Sequence, residues 1–521
     1  MILALVALAM VWPTSAPGPV ATPVQAGNDL LVSPAAGGLC TPLPPPTGNI
    51  VSVSTEAGLW NAVNSSLPNT TILLADGTYN LGQNGHYVWI TTPNLTLRSA
   101  SGNREAVILD DNYSATEIVT IAASNVTVAD LTIKRAGTHP IHVVTSSGAN
   151  TLNTLIYNVH LIDPGQQAIK INRSASGYYV DNGTVACSRL ELTSVGRQRV
   201  LDRNGSCYTG GVDGHAARNW VIRDNFIQGF WCSGSLSEHA VHMWDNSAGT
   251  IVERNQIVDC ARGIGFGLGS SGHTGGLIRN NMLRVNQDVG IGLETSPETR
   301  VYNNTVYTAN DYMDSIEYRF AATAGVSIIN NLTNKPVLSR DGGSGIAQNN
   351  VTNAQASWFA DAAAGDLHLA ASISSVVDHG QSLTDVADDF DGDTRPIGLA
   401  YDIGADEYSP ATPAAVSDLR VTGAAVSPGT LTATLRWTPP QTALTTTLRY
   451  SATLITDANW MDAQVLSDTL PGGTSIYTAS VPFSGATVYF VLKSQNAGGW
   501  SAPSNNAFWP EQRTYLPRMA R

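Results

Sequence analysis

Val221-Ile-Arg-Asp-Asn-Phe-Ile227 is the first of five closely similar stretches that decide the fold of this chain. The others are Ile251-Val-Glu-Arg-Asn-Gln-Ile-Val258, Leu277-Ile-Arg-Asn-Asn-Met-Leu283, Val301-Tyr-Asn-Asn-Thr-Val306 and Ile328-Ile-Asn-Asn-Leu332. Their aligned asparagines, at intervals of 30, 26, 23 and 27 residues, are Asn225, Asn255, Asn281, Asn304 and Asn331. A period of this size built from short apolar segments indicates a solenoid, in which stacked coils share one core. Asparagines that recur at one turn can stack as a hydrogen-bonded ladder, and asparagine tolerates the left-handed backbone that such a turn needs.

The bulk composition suits an all-β protein with polar turns and excludes one class of partner. The chain has 521 residues, of which 48 are glycine and only 13% are charged. Its formal net charge is −13. A protein that neutralises nucleic-acid phosphates needs a basic face, so we expect no nucleic-acid partner. A local basic cleft for an anionic sugar stays compatible with this charge, because net charge does not say where charges cluster.

The amino terminus has the pattern of an export signal. Residues 2–12 form an apolar run too short to span a bilayer, and Val24-Gln-Ala26 offers small residues for cleavage. We therefore predict a signal peptide over 1–26, a Pro/Gly-rich linker over 27–48, and a secreted or cell-surface protein. A buried N-terminal segment is the alternative.

Cysteine spacing permits two disulfides with one thiol left over. The five cysteines are Cys40, Cys187, Cys207, Cys232 and Cys260. Cys232 and Cys260 are 28 residues apart, about one coil, so we expect that they could lie on neighbouring coils and form a bridge. The chain contains no C-x-x-C pair, so we do not expect a zinc site.

The segment before the repeats predicts a cap on a parallel β-helix that extends over 49–408. Residues 54–63 have helical spacing, and a short helix there would cover the open edge of the first coil. The phrase Ala75-Asp-Gly-Thr-Tyr79 resembles the opening of right-handed parallel β-helix proteins, including pectin, alginate and chondroitin lyases. The resemblance implies an all-β, right-handed parallel β-helix solenoid with a carbohydrate-active function.

The end of this region carries a second resemblance. Asp385-Val-Ala-Asp-Asp-Phe-Asp-Gly-Asp-Thr-Arg-Pro396 and Asp402-Ile-Gly-Ala-Asp-Glu407 resemble the terminus of the choice-of-anchor Q class of secreted bacterial β-helix proteins. Asp389, Asp391 and Asp393 alternate as calcium ligands do, which makes calcium the one cofactor that the sequence suggests. The glycine and distal glutamate of an EF-hand are missing, however, and this favours a closing turn.

Residues 413–509 read as a separate unit. About seven short alternating strands in this length predict a β-sandwich. The pattern resembles a fibronectin type III domain, with Trp437 as its core tryptophan and Tyr489 as its late-strand tyrosine. Such modules are usually spacers or adhesion units, so we assign no catalysis here. Residues 510–521 form a basic tail, interpreted as a sorting tag or a frayed terminus.

Most of the candidate catalytic and binding residues lie on one strand of each coil. Aligned strands direct alternate residues inward and outward. A middle row of outward residues consists of His142, Lys170, Asp213, His242, Gly265, Gly292 and Glu317. An outer row, two residues further along each strand, consists of Val144, Asn172, His215, Trp244, Gly267, Glu294 and Arg319. The glycines predict a floor where a ligand approaches the backbone, although an ordinary solvated sheet face is the alternative.

An elimination on a uronic acid needs a cation for the C6 carboxylate, a base for the C5 proton, and an acid for the departing oxygen. Arg319 or Lys170 would neutralise the carboxylate, and His215, His242 or Lys170 would act as base. A hydrolase would instead need two carboxylates that flank one bond. The rows together with the neighbouring Glu238 offer two such pairs, which are Asp213 with Glu238, and Glu294 with Glu317.

The surroundings of these rows add binding candidates. Trp244 could stack on a sugar ring, and His142 and His239 lie beside the densest part of the rows. Residues 194–211 interrupt the repeat and read as an inserted loop, whose Arg197 and Arg199 would form a basic wall over the groove. The histidines could instead converge on a metal ion. However, the order of Glu238 and His239 does not match the H-E-x-x-H motif, and the segment reads as a strand.

We therefore predict a secreted bacterial polysaccharide lyase that cleaves an acidic glycan by β-elimination, centred on His215 and His242. The alternatives are a non-catalytic surface protein that binds a glycan, and a hydrolase or epimerase that uses the same groove. The expected partner is an acidic polysaccharide, with association at the cell surface or extracellular matrix and a monomeric state.

Overall fold

The structure is a computed structural model that describes residues 39–83, 87–146, 148–496 and 498–510. The predicted signal peptide lies outside the described residues, as do most of the predicted linker and all but the first residue of the predicted tail. Within the described part of the chain, no helix is long and apolar enough to cross a membrane.

Residues 49–348 coil through three parallel sheets, which we call sheets A, B and C in the order in which each coil visits them. Sheet A contains Asn49–Val53, Thr70–Leu74, Thr96–Ser99, Thr127–Ala129, Leu155–Tyr157, Thr184–Ala186, Val221–Arg223, Ile251–Glu253, Leu277–Arg279, Arg300–Tyr302, Val326–Ile329 and Gly345–Gln348. Sheet B contains Gly77–Asn80, Val107–Asp110, Thr132–Lys134, His160–Ile162, Arg189–Glu191, Phe226–Gln228, Gln256–Cys260, Met282–Val285, Thr305–Thr308 and Leu332–Thr333. Sheet C contains Val88–Ile90, Glu117–Ile121, His139–Val144, Gln167–Asn172, Gly210–His215, His239–Trp244, Arg262–Phe266, Ile291–Glu294, Ile316–Arg319 and Val337–Arg340.

One continuous core fills the space between the three sheets. Inward residues of successive strands pair directly, as Ile141 does with Ile169 and Ile169 with Val212, and all three are fully buried. Each coil therefore buries its apolar face only against its neighbours, as expected of a solenoid. The predicted all-β class, a parallel β-helix followed by a small sandwich, is confirmed.

The predicted asparagine ladder is present at the turn between sheets A and B. Side-chain amides donate from Asn225 to Asn255 at 2.9 Å, from Asn255 to Asn281 at 2.9 Å, and onward through the two later members. The structure adds Asn350 as a sixth member. The left-handed residue of each turn is the one before the ladder asparagine, for example Asn280 with φ 53°, so the expected backbone role belongs to that neighbour.

A second, exposed asparagine ladder lies at the turn that leads into sheet A. Here the asparagines themselves have positive φ, and Asn153 donates to Asn125 at 2.8 Å. Elsewhere, on the outer face of sheet B, His160 lies between Glu105 and Glu191 with nitrogen–oxygen distances of 3.2 Å. Burial lowers the pKa of His160, but its bonds with the two glutamates outweigh burial and raise the pKa above its usual value.

Within the described residues, two α-helices flank the coils. The predicted cap is the helix Glu56–Ser65, which begins at Thr55, whose hydroxyl accepts from the Gly58 amide at 3.1 Å. The predicted inserted loop is wrong, because its first part forms the helix Ser194–Asn204. Thr193 caps its start, and Gly205 ends it with φ 66°. Short 3₁₀ helices span Leu81–Gln83, Ala356–Trp358 and Asp457–Asp462.

The disulfide prediction for Cys232 and Cys260 is wrong. The structure pairs Cys40 with Cys187 and Cys207 with Cys232. Cys260 is buried and is the free cysteine of the described chain. The physical reason is that Cys232 is bonded to Cys207, whose Cα atom lies 5.6 Å away, so the buried Cys260 is left without that partner.

Residues 385–408 form a turn that closes over the ladder. Arg395 and Glu407 are both buried and bind each other at 2.6 Å. The carboxylate of Asp389 accepts from the amides of Asp391, Asp393 and Glu407. These bonds are those of a closing turn, and the calcium site suggested for the three aspartates stays a prediction.

The remaining strands are short parallel pairs, one hairpin and the sandwich. The pairs are Thr151–Leu152 with Val180–Asp181 and Ser247–Ala248 with His273–Thr274, and the hairpin is Phe359–Asp361 with Asp366–Leu369. The sandwich has one sheet of Arg420–Ser427, Thr430–Arg436 and Ile476–Pro482, and another of Thr445–Ser451, Gln464–Pro471, Val488–Asn496, Gly499–Trp500 and Ala507–Trp509. Trp437 is buried in its core, beside Leu435 and Phe490.

Candidate functional site

The seven strands that carry the predicted middle and outer rows pair in the predicted register on sheet C. His142 faces Lys170, Lys170 faces Asp213, and Asp213 faces His242, so these side chains occupy consecutive coils. The outer row is equally regular, because His215 faces Trp244 and Glu294 faces Arg319. The alternation of apolar and polar residues along each strand was therefore sufficient to predict the rows.

The middle row extends two coils further upstream than the sequence predicted. Trp89 pairs with Thr120, which in turn pairs with His142. Trp89 is 48% exposed and Tyr87 is 38% exposed, and their rings lie 5.8 Å apart. The signal was present in Tyr87-Val-Trp-Ile90, where aromatic and aliphatic residues alternate, but these coils lack the asparagine motif that guided the alignment.

A cavity of about 900 Å³ opens over this end of sheet C. Its lining includes Tyr87, Trp89, Glu117, Thr120, His142 and Val144. We call it the aromatic groove. His142 forms hydrogen bonds with Glu117 through one ring nitrogen and with Asn172 through the other. Burial raises the pKa of Glu117, but its bond with His142 outweighs burial and holds the pKa below its usual value.

The next coils hold a cluster of four side chains, which we call the central cluster. The Lys170 ammonium binds the Asp213 carboxylate and lies 2.9 Å from Nε2 of His215. Asp213 Oδ2 is 3.3 Å from the same His215 nitrogen, and Asp213 Oδ1 accepts from the Trp244 indole at 2.8 Å. The side chains of Asp213 and Lys170 are 3% and 11% exposed, whereas that of His215 is 21% exposed.

The central cluster holds a carboxylate that stays ionised. Burial raises the pKa of Asp213, but its bond with His215 and the charge of Lys170 outweigh burial and hold the pKa well below its usual range. Asp213 therefore stabilises a positive charge on its neighbours at any physiological pH. His215 has the most exposed side chain of these three charged or titratable members and is the one that a bound molecule can reach.

The prediction of an open middle row is wrong at its centre. His242 is 1% exposed, because its ring stacks on Trp244 at 5.2 Å between centroids and its Nε2 lies 3.2 Å from the Gly267 carbonyl oxygen. His239 is buried beside it. Burial, together with the charge of Arg262, lowers the pKa of His239 well below its usual value.

The predicted glycine floor is occupied by a neighbouring ring. A Cβ atom on Gly265 would lie 2.6 Å from the His239 imidazole, and one on Gly292 would lie 3.4 Å from its Nε2. The glycines therefore make room for His239 and do not leave space for a ligand.

The downstream members of the rows form a separate charged group. Arg319 binds Asp341 at 2.7 Å and Glu294 at 3.4 Å, while buried Glu317 binds Arg340 at 2.5 Å. Arg319 lies four strands from His215, which at about 4.8 Å per strand is roughly 19 Å. The structure therefore does not bring Arg319 to the same bond as His215.

The predicted basic wall is also wrong. Arg197 donates to the carbonyl oxygens of Leu192 and Gly229 and lies over the Trp231 ring at 4.6 Å, and Arg199 lies over Tyr113 at 5.0 Å. Both side chains are therefore engaged in contacts at the turn between sheets B and C. A cation that the sequence analysis did not single out is nearer to the cluster. Arg173, which follows the strand Gln167–Asn172, lies 4.0 Å from Asp245, and Nδ1 of His215 lies 3.9 Å from that carboxylate.

The comparisons with known proteins give one partial match to a family and several distant structural likenesses. The profile of a family described as periplasmic copper-binding protein (NosD) matches residues 176–317, a minor part of the chain. No curated protein matches.

Among solved structures, the alginate lyase from Paenibacillus sp. str. FPU-7 is similar with 13% identity and a TM-score of 0.39, over 58% of this chain and 98% of that one. Pectate lyase Pel9A is similar with 14% identity and a TM-score of 0.46, over 67% and 90%. The polygalacturonase from Erwinia carotovora ssp. carotovora is similar with 12% identity and a TM-score of 0.28, over 61% and 97%. At such values these likenesses assign no activity to this chain.

Proposed function

We propose that this protein is an exported polysaccharide lyase that binds an acidic glycan along sheet C and cleaves it by β-elimination at the central cluster. The observation that carries the proposal is the accessible imidazole of His215, held 2.9 Å from a lysine ammonium and 3.3 Å from a buried carboxylate. The Asp213 carboxylate stabilises the protonated form of this imidazole and the Lys170 ammonium opposes it, so such a group can both take and return a proton. The two disulfides support export, because disulfides persist in oxidising compartments.

The aromatic groove is the proposed binding end. The exposed rings of Tyr87 and Trp89 offer flat apolar surfaces against which a sugar ring can pack. The strands Val88–Ile90 and Gly210–His215 are four positions apart in sheet C, roughly 19 Å at about 4.8 Å per strand. A glycan that stacks on Trp89 therefore extends over several sugar units before it meets His215.

In the proposed reaction, Arg173 neutralises the C6 carboxylate of the uronic acid, so that the C5 proton becomes acidic. His215 takes that proton, the C4–O4 bond breaks as the C4–C5 double bond forms, and O4 receives a proton from the His215–Lys170 pair. Asp213 holds Lys170 and the protonated imidazole in place by charge. Arg173 is partly exposed and only loosely paired with Asp245, which leaves it free to turn towards a substrate.

Two observations weigh against hydrolysis at these rows. Asp213, which would pair with Glu238, is buried and engaged with Lys170 and Trp244. Glu317, which would pair with Glu294, is buried and bound to Arg340. A glycosidase needs two carboxyl groups that both reach the scissile bond, and neither predicted pair presents them.

The test is ultraviolet absorbance of the conjugated double bond during incubation with a panel of uronic-acid glycans. Only elimination creates this double bond, so reducing ends without absorbance would indicate a hydrolase. His215→Ala should abolish the signal without changing the melting temperature, whereas His379→Ala, which removes an exposed histidine outside sheet C, should leave the rate unchanged. Retained activity in His215→Ala would refute the assignment of the base.

A non-catalytic glycan-binding protein is the second candidate, because the aromatic groove needs no chemistry to hold a sugar. Affinity electrophoresis in gels that contain the same glycans separates the two. Retardation of the wild type that is lost in Trp89→Ala, with no double bond formed on any glycan, would favour binding alone.

A further inference from the structure

Three buried polar atoms face one another at the start of the sheet C strand His239–Trp244. Glu238 Oε2, His239 Nδ1 and His242 Nδ1 each lack a hydrogen bond of good geometry among the residues that the structure describes, although Arg262 lies 3.7 Å from Glu238 Oε2. One ligand atom from each residue lies within 4.8 Å of the others, and Glu238 Oε2 is 3.4 Å from His242 Nδ1. Burying polar atoms without partners is costly, and such atoms are rare in native proteins. Their convergence therefore calls for a bound species.

The His242 imidazole is held in position from outside the cluster. The Gly267 carbonyl oxygen can only accept, so Nε2 of His242 donates to it at 3.2 Å, and in the neutral ring Nδ1 then carries the lone pair. The stacking of His242 on Trp244, with 5° between the ring planes, fixes the direction of that lone pair. An imidazole whose second nitrogen donates to a carbonyl is the usual arrangement of a histidine that ligates a metal.

The neighbouring strands leave room at this place. Gly265 and Gly292 accommodate the His239 ring. Gly210 also borders the cluster, where a Cβ atom would be 2.7 Å from the His239 carbonyl oxygen and 3.5 Å from Glu238 Cβ, so only glycine fits there. Both amide atoms of the fully buried Gln167 also lack partners within the described chain, so this side of the cluster offers a further oxygen.

The donor set selects the kind of ion. Two imidazole nitrogens and one carboxylate suit divalent first-row transition metals, whereas calcium and magnesium take oxygen ligands. Three protein ligands also leave a position for water or a further ligand. The carboxylate of Asp213 lies 3.8 Å from His242 Nδ1 and contributes negative charge, while Arg262 lies 3.7 Å from Glu238 and opposes it.

From these contacts we infer that Glu238, His239 and His242 bind one divalent first-row transition-metal ion, with zinc as the reference ion. The site adjoins the central cluster through Asp213 and Trp244. It does not depend on the proposed elimination, because the test below measures binding in the absence of any glycan.

The experiment uses the full-length protein, stripped of metal with a chelator and dialysed against zinc, cobalt or calcium in turn. We expect one zinc ion per chain by elemental analysis, a visible absorption band of low-coordinate cobalt in the cobalt form, and no stoichiometric calcium. Bound zinc should also raise the melting temperature, since an ion that binds only the folded state stabilises it. Absence of stoichiometric zinc and cobalt would overturn the inference.

Variants separate this site from adventitious binding. Glu238→Gln should weaken zinc binding at least tenfold, because even changes outside the ligand set cost about 10–100-fold in metal affinity. His242→Gln should do the same and remove the cobalt band. His273→Gln is the matched control, since His273 is a buried histidine whose Nδ1 also lacks a partner in the described part of the chain. Zinc affinity unchanged in Glu238→Gln would refute the site even if His242→Gln failed to fold, because the partly exposed Glu238 side chain can be replaced without disturbing the core.

Discussion

Asp213→Ala tests whether the central cluster is kept for chemistry or for stability. The substitution leaves the Lys170 ammonium buried with His215 as its remaining contact and removes the acceptor of the Trp244 indole. Breaking a buried ion pair by removing one partner costs about 3–5 kcal/mol. Loss of the indole hydrogen bond adds about 1 kcal/mol. We expect the free energy of unfolding to fall by about 4–6 kcal/mol in total.

A double variant, Asp213→Ala with Lys170→Met, tests whether the loss of stability comes from the unpaired charge of Lys170. Methionine keeps most of the apolar stem of lysine and removes the uncompensated charge. The double variant should recover about 3 kcal/mol relative to Asp213→Ala, because replacing a buried pair by apolar residues is often neutral or stabilising. Urea unfolding followed by far-ultraviolet circular dichroism measures all four members of the cycle under the same conditions.

The result that would refute this reasoning is a double variant as unstable as Asp213→Ala or more so. Lys170 would then contribute to stability through its apolar contacts and not through its pairing with Asp213. Recovery of stability without any recovery of elimination activity would instead indicate that the pair is retained for the reaction.

Three further predictions follow from the fold. Asn281→Ala removes a side-chain amide that makes three donor and two acceptor contacts within the buried ladder, and it should lower the free energy of unfolding in urea by about 3–5 kcal/mol. Asn153→Gly, in the exposed ladder, should lower it by less than about 1 kcal/mol. Equal losses in the two variants would contradict a stabilising role of the buried ladder. The raised pKa of His160 should add stability that is fully present below about pH 6.5 and is lost as pH rises through the folded-state pKa. The midpoint of urea unfolding should therefore fall over this pH range in the wild type, and His160→Gln should lack this fall. A wild-type midpoint that rises over the same range would contradict the prediction. A fragment of residues 409–521 should unfold cooperatively on its own around Trp437, and a disordered circular dichroism spectrum would show that the predicted boundary is misplaced.

The regular part of the molecule was predictable from sequence because it repeats. A strand has a side-chain period of two, so one aligned pair such as Val212 and Val241 fixes which residues of every coil face outward. The ladder was predictable for the same reason, since only a stacked turn gives asparagine a reason to recur at coil-length intervals. Tyr87 and Trp89 were missed because their coil lacks that asparagine, although their alternation with Val88 and Ile90 was visible.

Burial within the rows was not predictable, because it depends on contacts between coils of different length. His242 and His215 both point away from the core, yet His242 is covered by Trp244 while His215 stays accessible. The helix Ser194–Asn204 was read as a loop because its apolar pattern is weak, although Thr193 and Gly205 carried the capping signals.

The sequence predicted the positions of the middle-row glycines correctly, but the role predicted for them was wrong. Gly265 and Gly292 do leave their outward positions empty, as the alignment predicted. The space is filled by the ring of His239, which belongs to the strand beside Gly265 and lies three positions earlier in register. A missing side chain in an outward row therefore indicates that something lies across the strand, and only the neighbouring coil shows what it is. Here the neighbour is an imidazole that lies close to Glu238 and His242, so the same glycines that offer no floor for a sugar make the proposed metal site sterically feasible.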